Sequence, residues 1–579
     1  MRDNKVRKID FSRKRLASLA DKYYNEGDYL SALRFAYKEL DLYGGDAEVY
    51  TRLADIYEGM GLQGTAVNWW FRFLDMAEEA DLPEVYEGLA VNFLNMGNES
   101  QSAYYYNRLI DVDDTLPNET KLDIAEAFSA VKPDKFHFVY PPRLADYSKE
   151  MNYGSRALKA GDCERAVNEL SKVEKGAKDY AQAQEMMAVA YLLSGNTKAA
   201  EDTCVALLAD EPNDIRVQAT LAAVYLEQGR TEESKAMALR LAAQEQTEVD
   251  DLYKVATVCC ENGLHEEAYQ KFRLLDEKIP FDGRMLYFKG VSAYKSGHIE
   301  EAEKTFAVIC TVYPDAEVAK YYLNAIREFK DGERETPPEL IYFYHLPQEE
   351  REERCKTLLH IRKCPKDEAV LFGALALQDG YFRWCFDEMD GGDHDLQYLA
   401  IVTAVHVGAD DFLQDILLDS DVADILKVET LRMLYERNED MHLGIVLYNI
   451  YRKVFIQRIQ IGRKKRKRFV QSYAKVASKF VGFSDEHGKK LKKAAEKLYR
   501  ALEYYNALDL VDKPEDCACA IFLLADLKEL GSNTKNIAVT FDANEERVSV
   551  LLTMVISKEM GLDTDGIVNS IEDESNEID

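Results

Sequence analysis

Small residues recur every 34 positions through the middle of this 579-residue chain, and this repeat constrains the fold more than any other feature. A repeat of that length encodes one supersecondary unit that cannot bury its apolar face alone, so successive units must stack. The chain can therefore grow in one direction without a single large core. The interval is clearest in a column of glycines: Gly161, Gly195, Gly229, Gly263 and Gly297.

Each unit has the periodicity of two amphipathic helices joined at its glycine. In residues 186–208, apolar side chains are spaced three and four apart on both sides of Gly195. Further columns of small residues lie seven positions before the glycines and five positions after them. Because small residues let helices approach closely and prolines are few, the sequence predicts an all-α chain whose repeats form an α-solenoid.

This pattern resembles the tetratricopeptide repeat. In that family the first helix carries a small residue and then an aromatic residue before the glycine turn, as Ala188 and Tyr191 do here. The resemblance covers residues 147–330, and a second block with the same columns begins at the N-terminus. It implies that the first helices line a groove for protein segments, and that the chain is a scaffold or adaptor and not an enzyme.

The repeats and the breaks between them predict six segments. Beyond the central repeats the register is lost while helical periodicity continues, which indicates irregular or HEAT-like helical packing. The segments are an N-terminal array of about three repeats plus a following helix at 12–131, a joint at 132–146, a central array of five repeats plus a capping helix at 147–330, a linker at 331–347, a helical C-terminal domain at 348–561 and an acidic, disordered tail at 562–579.

Equivalent positions in the first helices of the central array recur every 34 residues, and each such set of positions forms one column of the predicted groove lining. The resulting columns are apolar and aromatic, which suits an extended or helical peptide. The same side chains could instead pack against neighbouring helices, and the sequence leaves both interpretations open. The predicted groove residues are Met151, Val189, Tyr253, Tyr287, Val291 and Tyr321.

The corresponding columns of the N-terminal array are acidic. They contain Asp21, Asp55, Glu58 and Glu87. Such a surface would prefer a basic segment, but a solvated acidic face is the simpler interpretation in a chain this acidic.

A basic segment at 452–500 stands out because the whole chain has 73 Lys and Arg residues against 104 Asp and Glu residues. It holds 17 basic residues and three acidic ones. We expect it to bind an acidic protein partner; nucleic acid is the alternative, and a solvated face, a dock for the chain's own acidic surfaces and a membrane-surface helix are further possibilities. The consecutive basic patch is Arg463, Lys464, Lys465, Arg466, Lys467 and Arg468.

No motif for catalysis, metal binding or cofactor binding emerges from the sequence. The nine histidines are dispersed, and neither HExxH nor a glycine-rich phosphate loop is present. The ten cysteines are scattered at mostly apolar positions, as expected of reduced core residues. We therefore predict no catalytic residue, no metal and no cofactor, and a soluble cytoplasmic protein without a transmembrane segment.

Overall fold

The computed structural model describes residues 12–387 except 114, 118, 122–123, 125–146 and 176, and residues 393–479, 485–525 and 534–560. The predicted joint at 132–146 and the predicted tail at 562–579 lie outside these residues. Two compact units divide the chain. Unit 1 combines Met1–Leu122 with Pro347–Asp579, and unit 2 is Asp123–Leu346. The predicted domain boundaries stay predictions.

The N-terminal part of unit 1 consists of three antiparallel helix pairs. Within the pairs, small residues pack at the closest approaches: Ala20, Ala54 and Ala90 are completely buried. A Cβ atom at Gly88 would lie 2.3 Å from Cε2 of Trp70, so only glycine lets the two helices that carry these residues approach so closely. The helices are α1 (Arg13–Asn25), α2 (Tyr29–Tyr43), α3 (Ala47–Gly59), α4 (Gln63–Met76), α5 (Leu82–Asn95) and α6 (Glu99–Val112).

Unit 2 contains the five 34-residue repeats, each a helix pair, and one further helix. The glycine of each pair adopts a left-handed conformation, with φ between 69° and 90°, which a residue with a side chain rarely adopts. The helices are α7 (Ser148–Lys159), α8 (Cys163–Leu170), α9 (Tyr180–Leu193), α10 (Thr197–Asp210), α11 (Ile215–Glu227), α12 (Thr231–Ala242), α13 (Val249–Glu261), α14 (His265–Lys278), α15 (Gly283–Lys295), α16 (Ile299–Val312) and α17 (Glu317–Asp331).

The small-residue columns of unit 2 occupy the contacts between helices. Ala188, Ala222 and Ala256 are completely buried. At the equivalent position of the last pair, a Cβ atom on Gly290 would lie 2.9 Å from the ring of Phe306. The column therefore requires small residues because a facing side chain fills the space. Cys204 and Cys259 are completely buried in this core.

The C-terminal part of unit 1 is helical except for one β-hairpin. Its elements are α18 (Gln348–Lys363), α19 (Lys366–Gln378), α20 (Tyr381–Trp384), α21 (His394–Val407), α22 (Asp410–Leu418), α23 (Asp424–Arg437), β1 (Met441–Leu447), β2 (Ile450–Ile456), α24 (Arg466–Lys479), α25 (Asp485–Tyr504), a 3₁₀ helix (Leu508–Asp512), α26 (Pro514–Leu524), α27 (Thr534–Phe541) and α28 (Glu545–Met560). With every other regular element helical in the residues described, the predicted all-α solenoid fold is confirmed.

The hairpin was not predicted from the sequence. Its two strands are antiparallel, with Leu447 opposite Ile450, so the loop has only two residues. Those residues, Tyr448 and Asn449, have φ values of 53° and 59°. Two positive φ angles match the type I′ turn that twisted hairpins favour. The usual Asn-Gly signal is missing because a tyrosine occupies the first turn position.

The hairpin packs against the N-terminal helices of unit 1. The Tyr105 hydroxyl on α6 donates a hydrogen bond to the carbonyl of Asn449, at 2.9 Å. The Tyr451 hydroxyl on β2 donates to the Asp75 carboxylate on α4, at 2.7 Å. Val446 joins the apolar core of the N-terminal helices. Unit 1 therefore unites residues from both ends of the chain in one core.

Candidate functional site

The six residues predicted to line the groove fall into two groups. Tyr287 and Val291 are completely buried in unit 2, although they occupy the same columns as partly exposed residues. The half-buried residues are Met151, Val189, Tyr253 and Tyr321. Of the six, Val189 on α9 and Tyr253 on α13 line a common cavity of about 290 Å³. The remaining four residues do not line it.

This cavity, the open groove, lies on the first helices of the repeats. Its floor contains Glu185, which is only 8% exposed. Lys254 forms an ion pair with one Glu185 oxygen, and Nε of Arg216 lies 3.8 Å from the other. The two cations neutralise the charge of the buried carboxylate. The cavity therefore has apolar side chains on its wall and an ion-paired carboxylate on its floor. The full lining is Leu158, Gln182, Glu185, Met186, Val189, Arg216, Asp250, Tyr253 and Lys254.

The face around Tyr287 is covered by the segment that follows α17. We call residues 337–346 the strap. Within it, Leu340 is 1% exposed and Leu346 is 2% exposed, so both side chains are part of the unit 2 core. The Tyr287 hydroxyl lies 2.9 Å from the carbonyl oxygens of Ile341 and Phe343, which share its single proton. The predicted linker thus contains a docked segment.

The basic patch lies between β2 and the first turn of α24 in unit 1. Five of its six side chains are exposed, and the exception is Lys465. Lys465 Nζ lies 2.8 Å from Asp512 and 3.4 Å from Asp509, and these carboxylates raise the pKa of the lysine. The patch therefore consists of one lysine in local ion pairs and five solvent-facing cations. Beyond it, α24 buries Phe469 and other apolar residues.

A second cavity, of about 490 Å³, adjoins the basic patch. Arg458, Arg466 and Arg500 line it together with Glu503. Arg500 lies 3.7 Å from Glu496, whereas the side chains of Arg458 and Arg466 have no carboxylate within ion-pair distance among the described residues. This arginine cleft can hold a carboxylate or phosphate group, because guanidinium groups bind both with paired hydrogen bonds.

Of the predicted acidic residues of the N-terminal helices, Asp21 and Asp55 line a cavity of about 430 Å³, whereas Glu58 and Glu87 do not line it. Burial, together with repulsion from Glu58 and Glu84, raises the pKa of Asp55 to about 6. Arg52 offsets part of this charge, with Nε 2.7 Å from Asp21 and Nη1 3.0 Å from the buried Glu39. The acidic face is therefore partly neutralised within unit 1.

A family model for the tetratricopeptide repeat matches residues 157–224, the interval that includes α9, α10 and most of α11. The chain contains tetratricopeptide repeats. The prediction of a tetratricopeptide-repeat protein is confirmed, and these repeats are typically protein-interaction modules without catalytic activity.

Several solved structures with tetratricopeptide repeats are similar to the chain. A tetratricopeptide repeat protein from Parabacteroides merdae is 13% identical, with a TM-score of 0.22, over 49% of this chain and 99% of that one. The TPR2AB domain of yeast Sti1, in its pHSP90 complex, is 16% identical over 45% and 96%, with a TM-score of 0.19. Yeast Tom70 is 13% identical over 97% and 99%, with a TM-score of 0.20. No curated protein matches the chain.

Two further properties of the described part of the chain bear on function. None of its helices is both long enough and apolar enough to span a bilayer. Within the same residues, no cluster of His, Cys, Asp and Glu side chains is arranged to hold a metal ion.

Sequence reasoning missed the strap, the arginine cleft and the ion-paired floor of the open groove. The strap has a readable signal, since apolar and aromatic residues fill most of its positions and two prolines precede them. Arg458 and Arg500 are 42 positions apart in the sequence, so no local pattern could join them. Lys254 and Glu185 are likewise separated by two repeats.

Proposed function

We propose that this protein is a scaffold that bridges two partners. The tetratricopeptide array of unit 2 binds extended segments of one partner protein, and the basic segment binds a second, acidic protein. The observation that carries the first half is the strap, because the array's first-helix face already holds a non-helical stretch of polypeptide. The open groove offers the same kind of surface, and none of the described chain segments fills it.

Composition of the open groove favours a peptide over a small polar ligand. Val189, Met186 and Tyr253 supply apolar and aromatic surface. Burying one such side chain against a ligand contributes roughly 1.5–3 kcal/mol. Association costs roughly 4–15 kcal/mol, so the expected dissociation constant for one peptide is on the order of micromolar. Engagement of both partners at once would raise the overall avidity.

A charged substitution in the open groove is expected to weaken peptide binding strongly. The test peptides are selected from a displayed library on the wild-type protein. We predict that Val189→Asp raises their dissociation constants by about 10–100-fold, because it places a carboxylate against the apolar wall and near Glu185. The measurement is fluorescence anisotropy with the selected peptides and the full-length chain.

Val205→Asp is the matched control for this test. Val205 is 51% exposed on α10 and does not line the cavity, so the same substitution should leave peptide affinity unchanged. Circular dichroism must show both variants folded. Equal affinity of the two variants for the selected peptides would refute the open groove as the binding site.

For the second partner, five exposed cations and the arginine cleft favour an acidic ligand. An acidic peptide fits a compact cluster of this kind better than a long duplex, because the chain as a whole carries a net charge of −31 and would repel an extended polyanion. Nucleic acid remains the alternative function, in which residues 452–468 contact phosphates while the arrays recruit proteins.

We predict that Arg466→Gln, Lys467→Gln and Arg468→Gln together weaken the binding of a glutamate-rich peptide by about tenfold at 150 mM salt. The control changes Lys489, Lys490 and Lys493 to Gln, which removes the same charge from exposed positions on α25. Binding to single-stranded and duplex nucleic acid is measured in parallel between 50 and 200 mM salt. Tighter binding to nucleic acid, with a steep salt dependence, would replace the acidic-protein proposal by the alternative.

A further inference from the structure

Buried and exposed side chains alternate along most of the strap. Its even-numbered side chains from 338 to 346 are buried or half-buried against unit 2. The intervening Ile341 and Phe343 are 37% and 56% exposed. One side of the strap therefore docks and the other faces solvent, and the chain bends at residues 342–344.

The backbone of the strap is recognised through its carbonyl oxygens. Tyr287 of α15 shares its hydroxyl proton between the carbonyls of Ile341 and Phe343, and Tyr322 of α17 donates to the carbonyl of His345 at 2.9 Å. The chain bends between these carbonyls, and the amide of His345 also donates to the carbonyl of Phe343, at 2.8 Å. The two tyrosines therefore bind main-chain atoms that any peptide of the same conformation would present.

Side-chain contacts add selectivity at alternate positions. The ring of Tyr344 packs edge-on against Tyr287, with centroids 4.9 Å apart. The Tyr342 hydroxyl lies 2.9 Å from Nδ1 of His265, and Lys295 Nζ lies 5.8 Å from the centroid of the Tyr342 ring. Main-chain hydrogen bonds combined with contacts to alternate side chains select a bound peptide by both its backbone conformation and its sequence.

From these contacts we propose that the face around Tyr287 and Tyr322 is a second peptide-binding site of unit 2, which the strap occupies in place of a partner. Its ligand is a protein segment that adopts the bent conformation of the strap, with leucine at the ends and tyrosine or another aromatic residue at every second position between them. This ligand replaces the strap when it binds. The inference rests on the proposed peptide-binding function but concerns a face separate from the open groove.

The resident strap sets the apparent affinity of this site. A ligand binds only the molecules whose strap has left, so its apparent dissociation constant is the intrinsic one divided by the fraction of open molecules. If about 1% of molecules are open, the strap weakens apparent binding about 100-fold. Weakening the strap should therefore raise affinity, whereas weakening a structural segment would only destabilise the protein.

The test uses a fluorescent peptide with the sequence of residues 337–347 and the full-length chain. In the opened variant, Leu340→Ser and Leu346→Ser remove the two buried anchors of the strap. In the control variant, Ile341→Ser and Phe343→Ser alter its exposed side. We expect the opened variant to bind the peptide at least tenfold more tightly than the wild type, and the control variant to bind like the wild type.

Two further measurements test which face of unit 2 binds the peptide and in which register the peptide binds. Adding Tyr287→Phe to the opened variant should weaken peptide binding severalfold, because the ring stays while the hydrogen bonds to the carbonyls are lost. A peptide carrying serine at the positions of Leu340 and Leu346 should not bind. If the opened variant is folded and binds the peptide no better than the wild type, the proposal is wrong.

If the opened variant fails to fold, hydrogen exchange of the wild-type chain provides the test. With the peptide in large excess, the amides of residues 339–346 should exchange faster than without it, because the peptide displaces the strap. Unchanged exchange at saturating peptide overturns the proposal. Peptides selected on the open groove should still bind to every variant. Loss of binding of the strap peptide alone would contradict this inference, whereas loss of binding at the open groove would contradict the proposed function.

Discussion

Replacing Tyr287 with alanine is expected to lower the free energy of unfolding of unit 2 by about 3–5 kcal/mol. The Tyr287 side chain is completely buried, and its ring packs against Phe306 and Tyr322 with centroids 5.9 and 6.2 Å away. Truncation leaves a cavity and also removes the donor for two strap carbonyls. Urea denaturation followed by circular dichroism measures the change.

Two variants separate the parts of this effect. Tyr287→Phe keeps the ring and loses the hydroxyl, so it should cost about 1–3 kcal/mol, the range for leaving a buried acceptor unsatisfied. Tyr253→Ala, at a half-buried position of the same column, should cost clearly less than Tyr287→Ala. Equal costs for the two alanine variants would contradict the buried environment of Tyr287.

This difference has a practical consequence for binding experiments. A variant that removes Tyr253, Tyr287 and Tyr321 together would lose partners because unit 2 is destabilised, whether or not the groove binds them. Substitutions at Val189 avoid this problem because that side chain lies on the wall of the open groove and is only half-buried.

Replacing Tyr105 with alanine is expected to destabilise unit 1 by about 3–5 kcal/mol and to expose the hairpin at residues 441–456. Tyr105 is 1% exposed and stacks on Phe93 with centroids 5.7 Å apart. Its hydroxyl donates to the carbonyl of Asn449 and accepts from the amide of Tyr451 at 3.3 Å. One side chain near the N-terminus thus stabilises strands more than 300 residues away.

Hydrogen exchange of the hairpin amides measures this effect directly. In Tyr105→Ala the amides of β1 and β2 should lose protection together with those of α5 and α6. The neighbouring Tyr104, which is 37% exposed, supplies the control, because Tyr104→Ala should leave hairpin protection nearly unchanged. Retained protection in Tyr105→Ala would show that the hairpin is stable without the N-terminal helices.

Much of the repeat architecture could be predicted because its requirements are local. A glycine such as Gly195 follows from the left-handed turn between two helices, and a small residue such as Ala188 follows from the close approach of their axes. These demands recur in every unit at the same spacing, so they are visible in the sequence. The identity of the family follows from them.

Burial within a column could not be predicted in the same way. Tyr253 and Tyr287 have the same residue type and the same place in the repeat, yet only Tyr287 is completely buried. The difference comes from the strap, which lies over the last repeats and not over the earlier ones. A segment outside the repeat thus decides which groove residues are accessible.

By itself the sequence determined the helix pairs, their turns and the order in which they stack, because residues within one 34-residue unit and its neighbour specify each of these. Only the tertiary structure decided which face of the array is open, where Arg458, Arg466 and Arg500 meet, and that the hairpin joins the N-terminal helices. Each of these depends on contacts between residues far apart in the chain, which leave no periodic pattern. The physical reason is that helix propensity and turn geometry act over a few residues, whereas burial and charge pairing depend on the whole fold.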